Sequence, residues 1–514
     1  MKRSRRGLSR SDLTFIVFAL AAIVLAAFQL QRSDDGLTVT RINVGNTPAT
    51  IFRSQSGAAA PAVVIAHGFA GSQQLMQPFA LTLARNGYVV VTFDFLGHGR
   101  NPEPMRGDIT KETGITEALL AELGQVADVA RALPQSDGRL AVLGHSMASD
   151  IVVKYAMAHP NVQATVAVSV FSKVATAVSP RNLLVIVGAL EPAMLRDEGL
   201  RIVGLTAGGP AEPDKTYGDF GNGNARRMVE ARGVEHIGVL YGQDSLNAAR
   251  DWLNRAFTRR GADFIDMRGR WLALLFAGIV ALAWPLSRLL PTVGVLATDS
   301  RWNWGRLLLA AIAPALLTPL ILWKLPTDFL AILLGDYLTL HFLVYGALTG
   351  AALVLLRSRG IPNRPLARKA WPVILAAALA IGAFNIVAFG VPIDSWFFSF
   401  WPIAPRWPII AVIACGAVPY FVADETLTAE ANRTGGYALT KFCFLVSLAI
   451  AILLNPAKLF FLAIIVPAVL LLFLIFGVIS RFSLRATGHP LPGALGNAAM
   501  FAWAIGVTFP MVVR

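Results

Sequence analysis

A serine, a carboxylate and a histidine stand in this chain in an order that can carry out nucleophilic catalysis. Ser146 lies in Gly144-His145-Ser146-Met147-Ala148, directly after the apolar run Leu140-Ala141-Val142-Leu143 and before a helix-like stretch, Ser149 to His159, that Pro160 stops. A sharp turn of small residues between a strand and a helix forces its serine into a strained backbone and exposes the hydroxyl. An ordinary capping serine at a strand-to-helix turn is the plainer reading of the same five residues. A serine hydroxyl is a poor nucleophile until a base takes its proton, and neutral histidine is that base near pH 7. His236 follows Ser146 in the chain and precedes an amphipathic stretch, Ser245 to Phe257. Glu191, just past the apolar run Asn182 to Val187, is a carboxylate that can fix the tautomer of that histidine and stabilise the imidazolium.

Other segments must hold these groups. Ala62 to Ala66 reads as a buried strand running into His67-Gly68-Phe69-Ala70-Gly71. That Gly-rich turn lets backbone N–H groups, that of Phe69 foremost, face the space above the serine. Together with the N–H of Met147 it would form an oxyanion hole. Tyr88 to Phe95 reads as another strand, ending in Asp94-Phe95-Leu96-Gly97-His98-Gly99, and Ala164 to Val170 as the strand after the elbow helix.

Residues 37–262 resemble the α/β-hydrolase family. The resemblance is carried by His67-Gly68-Phe69, Asp94 with Gly97-His98-Gly99, Gly144-His145-Ser146-Met147-Ala148, Gly188 followed three later by Glu191, and His236. It implies an α/β sandwich with a mostly parallel sheet. It also implies Ser146 as nucleophile, His236 as base, Glu191 as acid, and Phe69 and Met147 as oxyanion donors. Two positions depart from the pattern. The last small residue of the elbow is Ala148 rather than glycine, which implies looser strand–helix packing. The acid is a glutamate rather than the commoner aspartate, which leaves Asp214 and Asp219 as alternatives.

The remaining histidines have plainer roles. His67 and His98 sit in Gly-rich turns, His145 is expected to point away from its neighbour Ser146, and His159 ends a helix where a cation suits the dipole.

Of 514 residues, 55% are hydrophobic and only 15% charged, too apolar for a soluble protein of this length. Residues 1–12 read as a basic cytoplasmic tail, and the uncharged stretch 13–31 as a transmembrane anchor. A cleaved signal peptide is the alternative; its apolar region would be unusually long, and Leu25-Ala26-Ala27 is only a fair cleavage context. After the sheet domain, residues 271–512 form an all-α transmembrane domain of about eight helices. Its apolar segments lie near 271–290, 304–323, 337–356, 371–391, 407–423, 437–455, 459–480 and 490–512. Residues 328–335 read as an interfacial or re-entrant piece, and Trp396-Phe397-Phe398 with Trp401 and Trp407 as an aromatic interface segment.

With the N-terminus inside, nine spans leave sixteen Lys and Arg in inner short segments, Lys2 and Arg485 among them, against Lys324, Arg406, Lys458 and Arg514 outside. That bias puts residues 37–262 on the extracytoplasmic side of the cell membrane. Arg32, Arg268 and Arg270 argue mildly the other way. The net charge of +14 is thus mainly a topology signal that anionic lipid headgroups answer. No basic stripe interleaved with aromatics points to nucleic acid. Cys415 and Cys443, both in apolar spans, make no disulfide framework or zinc spacing, so no cofactor or metal is implied. Asp336 and His341 read as near an interface, Asp424-Glu425 as a loop pair, and Lys441 as close enough to a span end to snorkel.

Phe171 to Arg181 leaves no room for a large cap over the site, and Pro192 to Arg232 reads as a mobile Gly- and Pro-rich loop. The expected activity is ester hydrolysis through an acyl-enzyme on Ser146, with a small-molecule or lipid ester taken from the bilayer surface. A peptidase or acyltransferase would use the same machinery. A transporter or scaffold with a regulatory hydrolase-like domain is the rival of a different class.

Overall fold

The computed structural model describes residues 8–106, 114–294, 302–356 and 368–513. Lys2, Arg3, Arg5, Arg6, Arg301, Arg357, Arg359, Arg364 and Arg514, part of the charge argument above, lie outside the described residues, as do 107–113 of the stretch after Arg100.

After helix α1 (Arg10–Gln31) come strands β1 (Leu37–Val44), β2 (Thr47–Ser54) and β3 (Ala60–Ala66), helix α2 (Gln77–Arg85), β4 (Val89–Phe93), α3 (Gly114–Ala132), β5 (Ser136–His145), α4 (Met147–Ala158), β6 (Val162–Val168), β7 (Leu183–Gly188), α5 (Ala193–Ala207), β8 (Arg226–Ala231) and α6 (Gln243–Ala256). The strands form one sheet in the order β1-β2-β4-β3-β5-β6-β7-β8. β2 runs antiparallel to β1 and β4, and every pairing from β4 to β8 is parallel. Parallel strands buried on both faces read as unbroken apolar runs, which is why β3, β4 and β7 were legible. Alternate residues divide the core. Val63 and Ile65 pack with α2 and α6 on one face, whereas Ala62, Val64 and Ala66 pack with α3 and α4 on the other.

The stretch from Pro192 to Arg232 is not one mobile loop. It contains α5, which buries Gly199, Ile202 and Val203 at helical spacing, and β8, which pairs along β7. The glycines read as loop signals are confined to 208–223 between them.

The second region comprises α7 (Arg268–Ser287), α8 (Trp304–Leu322), α9 (Gly335–Leu356), α10 (Trp371–Phe384), α11 (Gly390–Trp396), α12 (Arg406–Ala431), α13 (Gly436–Leu454), α14 (Pro456–Thr487) and α15 (Leu491–Thr508). Residues 385–389 continue α10 into α11 as a π turn. Among the described residues, nine helical stretches are long and apolar enough to cross a membrane, α1 and the joined α10–α11 stretch among them. α12 sits at the centre, between α9 and α15. Gly346 of α9 lies against the backbone at Pro419 and Tyr420, and Gly416 of α12 against Thr339, so the two helices touch backbone to backbone.

Three expectations fail in this bundle, where polar and ionisable side chains are buried between the helices. α12 runs well past 423, so Asp424 and Glu425 lie inside a helix rather than in a loop. Lys441 does not snorkel; it is buried and paired with Asp424, its ammonium over the Tyr437 ring. His341 is fully buried in the helix core beside Tyr337 and Phe444.

Candidate active site

Ser146 occupies the single residue between β5 and α4, at φ +54° and ψ −118°. Such a backbone costs about 1–3 kcal/mol outside glycine and persists only where its surroundings hold it. Here the Ser146 N–H donates to Val168 O at 2.8 Å, and its carbonyl accepts from the Ser149 N–H (2.8 Å) and hydroxyl (2.6 Å). A side chain on Gly144 would collide with the Ala148 carbonyl, so Gly144 supplies the close strand–helix approach. The Ala148 methyl is fully buried against the α3–α4 side of the sheet.

His236 sits in the loop between β8 and α6. Its Nε2 is 3.0 Å from Ser146 Oγ, and its Nδ1 is 2.5 Å from Glu191 Oε1. The Glu191 side chain is fully buried, and its other oxygen accepts the Gly188 N–H at 2.7 Å and the Ser169 hydroxyl at 3.0 Å. With both oxygens engaged, the carboxylate cannot turn away from the imidazole. Asp214 and Asp219 are elsewhere: Asp214 pairs with Arg227 at 3.5 Å, and Asp219 caps the Asn222 N–H at 3.0 Å.

The two expected oxyanion donors flank the serine. Met147 is the first residue of α4, so its N–H has no carbonyl four residues back to pair with. Phe69 follows Gly68, where an added Cβ would stand 2.9 Å from Ser146 Cβ; only glycine lets this loop lie on the serine.

His67 and His98 are structural. His67 Nε2 accepts the Phe95 N–H at 3.1 Å, and its Nδ1 meets Gly68 O at 2.8 Å; His98 Nδ1 meets Leu96 O at 2.8 Å. Burial pushes both imidazoles below the ordinary histidine range. His159 closes α4, with Nδ1 2.8 Å from Tyr155 O. His145 departs from expectation: it points toward the site, with Nε2 3.0 Å from the His236 carbonyl and rings 4.8 Å apart. Burial holds it well below the ordinary range, so it stays neutral and donates that bond from Nε2. Ser169 and His145 are thus the supports that sequence patterns did not reveal.

Residues 57–198, which include β3, the 67–71 turn, Ser146 and Glu191, match the family described as serine aminopeptidase, S33. The match and the mostly parallel sheet give the sheet domain the α/β-hydrolase fold. No curated protein matches the chain. Similar solved structures include a hypothetical protein from Pseudomonas aeruginosa, at 12% identity and TM-score 0.32 over 42% of this chain and 92% of that one. Another is described as a predicted CIB-like hydrolase from Thermoplasma acidophilum, at 16% identity and TM-score 0.32 over 42% of this chain and 97% of that one.

Among the described residues, the sheet domain inserts no helix between β6 and β7, and the helix bundle lies against the edge where the site is. The Phe69 ring stacks on Phe461 of α14, centroids 4.6 Å apart. The Ser399 N–H donates to Ser72 Oγ at 3.0 Å, and Arg100 pairs with Asp394 of α11 at 2.5 Å. Asp394 also accepts the Phe400 N–H at 2.9 Å, and its carbonyl accepts from Gln74 at 3.4 Å. On the side of the sheet domain, Asp94 accepts the N–H groups of Gln73 (2.8 Å) and Arg100 (3.0 Å), tying the stretch after the 67–71 turn to this joint. Buried Arg406 donates to Gly97 O at 2.9 Å, and the Met511 N–H reaches the same oxygen at 2.8 Å. The aromatic segment at 396–407 therefore serves as a dock: Phe397 packs near Tyr241, and Trp401 and Trp407 cluster with Trp503.

Proposed function

We propose that this protein is a membrane-embedded serine hydrolase that cleaves esters, lipid or amphipathic acyl esters foremost, through an acyl-enzyme on Ser146. His236 takes the proton of the Ser146 hydroxyl as that oxygen attacks the carbonyl carbon, and returns it to the departing alkoxide. Glu191 orients the imidazole and stabilises its charged form, and the N–H groups of Phe69 and Met147 receive the oxyanion. Water, deprotonated by His236, then releases the acid. The observation that carries this reading is the unbroken line Ser146 Oγ, His236 Nε2, His236 Nδ1, Glu191 Oε1 at 3.0 and 2.5 Å.

The reading has the chain cross the membrane with α1 as an uncleaved anchor and the hydrolase domain on the extracytoplasmic side. In its support, the hydrolase domain meets the start of α7, the 394–406 segment, the start of α14 and the stretch after α15. Nine crossings put all four on the side of residues 37–262. The family description, serine aminopeptidase, favours a second reading in which the scissile bond is an amide.

Purified protein incubated with p-nitrophenyl acyl esters and with amino-acyl p-nitroanilides separates the two readings. Intact-mass analysis should find an acyl adduct that maps to Ser146. Turnover of the anilides alone would replace esterase by peptidase, and no adduct or turnover with either would remove the enzymatic reading.

A further inference from the structure

α7 leaves the sheet domain at Arg268, which binds Gln77. By Trp284 it has climbed about 24 Å, at ~1.5 Å per residue. At that far face α1 begins and α14 ends, and the three helices enclose an apolar groove of about 550 Å³. Phe15 of α1, Val280, Ala281 and Trp284 of α7, and Ile475 and Phe482 of α14 line it. Residues four apart stack along one helix face. Phe276, Val280 and Trp284 therefore form one column on α7, and Ala277 and Ala281 a second beside it. The alanines set the wall back where the neighbouring column is bulky. Phe15 closes the α1 side, edge-on to the Trp284 ring at 4.9 Å.

The apolar columns end in cations. Arg288, four residues past Trp284, holds its guanidinium 4.7 Å from the centroid of that ring and pairs with Asp12 at 2.6 Å. Arg485, three residues past Phe482, is exposed in the last turn of α14. Over residues 8–16, 284–290 and 478–488 the charged side chains are Arg10, Asp12, Arg288, Arg481 and Arg485, four cations against one carboxylate. A cation in a last helical turn suits the helix dipole. The dipole does not account for the groove that runs from these arginines toward the middle of the bundle. A groove of this volume holds one ligand of modest size. Apolar walls that end in guanidinium groups match a hydrocarbon chain that ends in an anion.

We propose that this groove binds an anionic phospholipid of the leaflet opposite the sheet domain. One acyl chain lies along Ala277 and Ala281, and the phosphate meets Arg288 and Arg485. This rests on the reading that the helices cross a bilayer, and it is independent of the chemistry at Ser146.

Native mass spectrometry of the detergent-solubilised full chain tests it, with phosphatidylglycerol and a phosphatidylcholine of the same chains as probes. The first phosphatidylglycerol should bind about tenfold more tightly than the first phosphatidylcholine. Arg288→Gln with Arg485→Gln should abolish that preference. Ala277→Phe with Ala281→Phe fills the groove and keeps the arginines; it should weaken the first phosphatidylglycerol about tenfold. Arg368→Gln with Lys369→Gln removes two exposed cations just before α10 and should change nothing. No preference in wild type, or an equal loss in the Arg368 and Lys369 variant, would leave only a diffuse attraction of cations for anionic lipid and would overturn the site. Undiminished binding in the filled variant would overturn it as well. A dimer mass free of lipid would give the groove to a second copy of the chain and refute the proposal. A chain that stays in solution without detergent would remove the membrane reading, and the site with it.

Discussion

Phe69, in the turn that lies on Ser146, stacks its ring on Phe461 of the long apolar helix α14 with centroids 4.6 Å and planes 29° apart. The two residues are 392 positions apart in the chain. This contact sets the helix bundle directly against the turn that lies on Ser146.

If the stack holds the turn at 67–71, Phe461→Ala should lower kcat by about 2- to 12-fold, the worth of one aromatic pair at ~0.5–1.5 kcal/mol. KM for a short soluble ester should change little, and Phe461→Trp should recover most of the loss. Steady-state kinetics on p-nitrophenyl esters measures both. An unchanged kcat in the alanine variant would mean the turn keeps its shape unaided.

Breaking the polar joint should loosen the same turn. Asp394→Ala leaves Arg100 without its carboxylate and removes the acceptor of the Phe400 N–H. Amide exchange over residues 67–76 should quicken in this variant, while exchange in β5 and β6 stays slow. Hydrogen-exchange mass spectrometry in detergent reads it; uniform protection across 67–76 would show that the joint does not support the turn.

The supports of His236 should rank by what they hold. Glu191→Gln removes the negative charge beside the imidazole and should cost about 10³- to 10⁴-fold in kcat. Ser169→Ala leaves one carboxylate oxygen with the Gly188 N–H alone and should cost about 10- to 100-fold, the worth of one hydrogen bond to a charged group. His145→Phe, which loses the bond to the His236 carbonyl but keeps a ring there, should fall in the same range. Equal losses for all three would argue that these residues act on folding rather than on the imidazole.

How much of this was legible follows from where each interaction is encoded. The triad could be read because its chemistry dictates residue types, and because Ser146 carries its strand, turn and helix in one continuous stretch, residues 136–158. The spans could be read because a bilayer demands length and apolarity, both local properties. The β1–β2 hairpin and β8 were not singled out, because they sit toward the sheet's edges and mix polar with apolar residues. His145 was misplaced because alternation along a strand says which way a side chain leaves, not that a loop ninety residues later would return over it. Asp394 and Phe461 were invisible as site residues because their meaning lies in contacts with a domain hundreds of residues away.

A buried carboxyl beside the 94–101 segment gives a pH signature. Glu122 accepts from Thr47 (2.6 Å), the Leu96 N–H (2.8 Å) and Asn101 (2.8 Å), yet burial pushes it up from 4.5 to about 7. The folded protein therefore holds this proton more tightly than the unfolded chain. Glu122 contributes its full stabilisation below about pH 4.5 and loses it as pH rises to about 7, on the order of 3 kcal/mol across the window. The melting temperature should fall from pH 4.5 to 7 more steeply in wild type than in Glu122→Gln. Parallel melting profiles for the two proteins would exclude the assignment.

The central claim is that Ser146 is activated by His236. Labelling of the detergent-solubilised chain with a fluorophosphonate probe tests it most directly. The account predicts labelling of wild type at Ser146, with none in Ser146→Ala and a near-complete loss in His236→Ala. Folded wild type that does not label, or His236→Ala that labels as fast as wild type, would contradict it.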